Sequence, residues 1–114
     1  MFEVTEKRFG EMISDALATI PPLLAGHMDN VAIFVEDEAD GGRLFGLYEG
    51  IPLTRRSGYG AGIVMPDKIT LYRMTICEYC STEEEVAAQV RTTLVHEVAH
   101  HFGISDPRLV ELGW

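Results

Sequence analysis

A chain of 114 residues and 12.7 kDa has room for one hydrophobic core, because domains commonly run roughly 100–150 residues, so residues 1–114 are read as a single domain. Hydrophobic residues at 46% and charged residues at 24% are an ordinary globular mixture and exclude a disordered or fibrous chain. Eighteen acidic against nine basic side chains, a formal net charge of −9, would repel a phosphate backbone and exclude nucleic acid as a partner.

The first ten residues lack the basic start and apolar middle of a secretory leader, so a cytoplasmic location is expected. Phe9, Met12, Ile13, Ala16, Leu17 and Ile20 recur at the spacing that lines one helix face, which predicts a helix over Glu6 to Thr19 capped by Thr5. Pro21 and Pro22 stop it, since proline lacks an amide hydrogen and restricts the residue before it. Val31 to Val35 is short, apolar and β-branched, as a buried strand is. This longest apolar run falls far short of the roughly 20 residues needed to cross a bilayer, so no membrane partner is expected. After the turn signal Asp40-Gly41-Gly42 an extended pattern resumes over Leu44 to Tyr48. Between Arg55 and Asp67 the glycine-rich run reads as a loop, either a flap over a cleft or an idle surface segment. Lys68 to Arg73 alternates polar with apolar residues, as a half-buried strand does.

Cys77 and Cys80 are too few for a disulfide scaffold. They read as packed thiols or a chance disulfide, with a redox pair or half of a metal site as the alternative. Ser81 with Glu84, or Thr82 with Glu85, offers a capping box for a long helix running to about Phe102. Its apolar contacts come from Val86, Val90, Leu94, Ala99 and Phe102, and Gly103 ends it. Asp106-Pro107 then opens a short last helix closed by Gly113. The fold class is therefore α+β: an N-terminal helix, a small mixed or antiparallel sheet of three to four strands, the long helix and a short C-terminal helix.

The long helix carries His96-Glu97-Val98-Ala99-His100. Residues four apart on a helix are separated by about 40° around the axis and one turn along it, so both imidazoles can meet one ion. Glu97 lies about 60° from His100, beside the ligand line, where a carboxylate reaches a metal-bound water and acts as a general base. A catalytic zinc takes three protein ligands and keeps one position open. Gly103 can turn the chain sharply out of the helix, and Asp106 three residues later can swing back as the third ligand. An aspartate before proline is also an ordinary helix cap, and one carboxylate has oxygens for both tasks. His101, about 100° from His100 and 140° from His96, cannot join them. It reads as a solvent-facing residue or one that supports the ligands.

Extended to His96-Glu97-x-x-His100-x-x-Gly103-x-x-Asp106, the pattern resembles that of the gluzincin and metzincin zinc peptidases, with aspartate as third ligand. The whole chain, including His100-His101-Phe102-Gly103-Ile104-Ser105-Asp106 and the ending Glu111-Leu112-Gly113-Trp114, is similar to the small bacterial family of predicted minimal zincins. No methionine occurs in Pro107 to Trp114, so the methionine turn of metzincins is not matched. The resemblance implies a zincin-like fold and a zinc-dependent peptidase, with His96, His100 and Asp106 as ligands. Glu97 would accept a proton from the attacking water and pass it to the leaving amine. An aspartate ligand offsets part of the ion's charge, which predicts an activity optimum at neutral to alkaline pH.

The expected substrate is a short or unfolded peptide lying along an edge strand, for which Lys68 to Arg73 is the candidate. Tyr48, Tyr59, Tyr72 and Tyr79 are candidate donors to the oxyanion. The alternative function is a zinc-binding domain without significant peptidase activity that serves in partner recognition. There Glu97 has no task, because a structural site closes its fourth position with protein.

Overall fold

The computed structural model describes residues 1–20, 22–26, 28, 31–41, 43–50, 67–104, 107 and 111. Helix α1 spans Glu6–Leu17. Its first turn is closed by Thr5, whose hydroxyl accepts from the Arg8 amide at 3.1 Å, satisfying one of the amides a helix start leaves unpaired. Phe9, Met12, Ile13 and Ala16 form its buried face. The expected helix ran two residues further; Thr19 and Ile20 instead donate backward to the carbonyls of Ala16 and Leu17 in a tightening turn. A four-residue helix, α2 (Pro22–Ala25), follows.

Strands β1 (Val31–Glu36), β2 (Gly46–Glu49) and β3 (Asp67–Tyr72) form one mixed sheet in the order β1-β3-β2. β1 runs parallel to β3, from Val31 opposite Asp67 to Glu36 opposite Tyr72. β2 runs antiparallel to β3, from Gly46 opposite Leu71 to Glu49 opposite Lys68. Two expectations are corrected here. β3 is the centre of the sheet, not a half-buried edge, and it is buried at every residue but Lys68. β1, read as a buried strand, lies at one rim, with Phe34 and Val35 exposed and the Lys68 ammonium over the Phe34 ring at 5.0 Å. Apolar content alone does not separate a central strand from a rim strand, because both need one face buried.

Helix α3 (Arg73–Glu78) follows β3 directly and has no counterpart among the expected elements. Tyr72 precedes it without a side-chain cap, so the chain carries none of the usual start signals there. Arg73 fastens the N-terminal segment to this junction. It donates to the Val4 carbonyl at 2.7 Å and to Asp37 Oδ1 at 2.9 Å. Helix α4 (Glu83–His101) is the longest element. Thr82 accepts from the Glu85 amide at 3.1 Å, and the Glu85 carboxylate reaches back to the Ser81 amide at 2.9 Å. The second of the two expected capping pairs is thus the one used, with the return bond made one residue earlier. The core lies where Phe9 and Met12 of α1, Val86, Val90 and Leu94 of α4, and Ile69 and Leu71 of β3 meet. The short last helix expected over Asp106 to Gly113 lies largely outside the described residues, as does the glycine-rich run from Arg55 up to Pro66. Among the described residues no helix is long and apolar enough to cross a membrane.

Candidate metal centre

Two stripes run along α4. Val86, Val90, Leu94, Val98 and His101 are buried and follow one another at intervals of three or four, so they share the core side. Gln89, Thr93, His96 and Glu97 belong to a second stripe, which lines a cleft of about 310 Å³. Across the cleft stand Phe45 and Gly46, the residues that lead into β2. Gly46 lets strand and helix approach closely: a Cβ there would lie 2.7 Å from Thr93 Cγ2. The Thr93 hydroxyl is itself held by Gln89 Nε2 at 2.9 Å.

Of the residues predicted to carry the chemistry, His96, Glu97 and His100 stand on the last turns of α4, and Asp106 lies outside the described residues. Glu97 Oε1 is 3.2 Å from His100 Nδ1, which turns Nε2 of that ring toward other partners. Among the described residues, Nε2 of His96 is buried with no hydrogen-bond partner. Leaving a buried polar atom in that state costs about 1–3 kcal/mol, and a zinc ion is a partner that an imidazole lone pair suits. The donors present therefore fit such an ion chemically. Among the described residues no three His, Cys, Asp or Glu side chains form a group able to share one ion.

The end of α4 is built as anticipated. Gly103 has φ +80°, its amide donates to the His100 carbonyl at 2.9 Å, and the Ile104 amide donates to that of Ala99 at 2.9 Å. This pair of bonds is the Schellman arrangement, and the left-handed residue turns the chain out of the helix.

A sequence profile of the zincin-like metallopeptidases matches residues 28–114, which takes in both strand rims, the cleft and the whole histidine-bearing helix. The chain belongs to the zincin-like metallopeptidase family. Membership makes it a domain of the kind that holds zinc in general. Its fold is similar to that of a conserved hypothetical protein from T. thermophilus, with a TM-score of 0.61 and 22% identity over 87% of this chain and 94% of that one. No curated protein matches the sequence.

In this zincin-like chain the rim strand that borders the cleft on α4 is β2, which corrects the assignment of an edge position to Lys68 to Arg73. The Tyr72 amide donates to the Phe45 carbonyl at 2.9 Å. The alternation of an antiparallel ladder then turns the backbone groups of Gly46 and Tyr48 away from β3. The four tyrosines also separate. Tyr48 donates its hydroxyl to Asp67 Oδ2 at 2.6 Å. Tyr72 is buried, and burial, then Glu36, Glu49 and Asp40, pushes its phenol pKa up. Tyr79 is exposed and packs edge-on against Phe45 at 5.3 Å between centroids. Tyr59 lies outside the described residues.

His101, expected to face solvent or to support the ligands, is buried. Its spacing of three from Val98 puts it on the apolar stripe, a signal available in the sequence: an imidazole in that register needs a buried partner.

Proposed function

We propose that this chain is a zinc-dependent peptidase in which His96, His100 and Asp106 hold the metal and Glu97 is the general base. The observation that carries the reading is the buried Nε2 of His96, which has no hydrogen-bond partner among the described residues, one helical turn from a second imidazole and beside a cleft that Glu97 also lines. Family membership supports it. A zinc ion there supplies Lewis acidity to a scissile carbonyl and makes a water more acidic. Glu97 takes a proton from the attacking water and returns it to the departing amine. An extended peptide laid along the rim strand β2 pairs with its backbone from Gly46 onward, and the open cleft favours short or unfolded peptides over folded proteins. The chain's residues thus orient the peptide, hold the ligands and move one proton.

The test is metal content together with cleavage of a mixed set of unstructured peptides, for the wild type and Glu97→Ala. Zinc bound equally by both, with cleavage at least about 100-fold slower in the variant, is the expected result. Zinc bound and no cleavage by either protein turns the reading to a zinc-binding domain that recognises a partner. Wild-type protein that takes up no zinc overturns both.

A further inference from the structure

The last turn of α4 carries a cluster of polar groups that the cleft does not explain. His101 is 2% exposed, and its Nδ1 lies 2.6 Å from Oδ2 of Asp67, which is equally buried. The Tyr48 hydroxyl donates to the same oxygen at 2.6 Å. That oxygen accepts, so Nδ1 is the nitrogen of His101 that carries the hydrogen. The rings of Tyr48 and His101 meet edge to face at 6.2 Å, and Phe102 packs on His101 at 5.1 Å. Gly50 abuts the carboxylate so closely that a Cβ there would run into Oδ1 of Asp67.

One carboxylate therefore ties together the first residue of β3, the middle of β2 and the last residue of α4. Burying ionisable groups is a poor route to stability, since a well-packed apolar cluster of the same volume commonly does as well. What such a cluster does provide is geometry. Two donors from different elements converge on one oxygen, and neither element can slide by a residue without breaking its bond. The helix end held in this way is the turn that bears His100 and leads into Gly103. The strand held in this way is the one that borders the cleft.

We propose that Asp67, acting through His101 and Tyr48, is a positioning residue. It holds the histidine-bearing turn and the rim strand in the mutual register that a metal and an extended peptide need at the same time. The proposal rests on the ligand set given under Proposed function and deepens it by naming what locates that set against the substrate strand. Asp67 itself touches neither metal nor substrate.

The test compares Asp67→Asn and Tyr48→Phe with Ile13→Val, a substitution in the buried face of α1 that lowers stability without touching the cluster. Zinc dissociation constants are measured by competition with a chromophoric chelator, well below each protein's melting midpoint. Cobalt(II) is bound in parallel to read the visible spectrum of the site, and backbone amide exchange is followed in the metal-free proteins. In Asp67→Asn, zinc affinity falls about 10-fold or more, the cobalt bands shift, and exchange accelerates at Leu47, which pairs with Thr70, and at residues 99–102. Tyr48→Phe, which keeps the ring and removes one hydrogen bond, moves the same readouts in the same direction by less. It keeps the test decisive if Asp67→Asn does not fold. In Ile13→Val the midpoint falls while affinity and spectrum stay those of the wild type. Affinity that merely follows the midpoint in all three variants overturns the positioning role and leaves the ligand set standing. Wild-type protein without zinc overturns the ligand set and this inference with it.

Discussion

At the scale of single residues, the cysteines show how surroundings decide chemistry that a motif leaves open. Cys77 and Cys80 have the spacing of a redox pair, yet both are free thiols in the core. Burial pushes the Cys80 pKa up from 9.0; Glu85 and Cys77 add to the rise and the N-terminus opposes it. A nucleophilic or metal-binding cysteine needs the opposite shift, so packing is the role that fits. In the unfolded chain the thiol ionises near 9.0, whereas in the fold it keeps its proton to higher pH. The unfolded state therefore loses protons first, and this contribution to stability is intact below about pH 9 and declines as pH rises above it. Denaturant melts from neutral to strongly alkaline pH should show that decline, and replacing Cys80 by alanine should make it shallower. Alkylation by iodoacetamide at mildly alkaline pH should be slow in buffer and fast in denaturant.

At the scale of elements, the parts that announce themselves are those whose signals are local. The long helix is legible because its caps, Thr82 and Gly103, and its buried stripe all lie within its own sequence. His96, Glu97 and His100 are legible for the same reason, since one turn of helix fixes their relation. α3 is not, because six residues directly after a strand, without a side-chain cap, carry no start signal. The place of β3 is not legible either: alternation tells that a strand has two unlike faces, and only pairing tells which strand is the rim. Gly46 brings β2 close against α4, and it gives a test of that contact. Gly46→Ala places a methyl against Thr93 Cγ2 and should cost about 1–3 kcal/mol of overpacking. Thr93→Ser removes that methyl, so the double variant should recover much of the loss. Equal losses in single and double variants, read from denaturant midpoints, would place the clash on Leu71 Cδ2 and the Thr70 carbonyl, each 3.2 Å from the new methyl, and not on Thr93.

At the scale of the whole molecule, the α+β class and the general course of the chain follow from composition and periodicity, whereas the joining of distant parts does not. The Asp67 cluster unites residues 34 and 19 positions apart, and no pattern in a single sequence registers such a pair. Its one visible trace is His101 standing in line with Val98 on the apolar stripe. The sheet order β1-β3-β2 is of the same kind and bears on how the protein is made. The strand synthesised last is the one inserted between the other two, and it alone bonds to both. A nascent chain that has emerged from the ribosome only as far as residue 66 holds, among the described residues, two strands that are not neighbours in this sheet. A 1–66 fragment should accordingly lack the cooperative melt of the full chain by circular dichroism. Pairing of β1 and β2 is postponed until the residues around Asp67 to Tyr72 arrive, so a protease or chaperone that samples the growing polypeptide before then meets both strands without the partner that joins them.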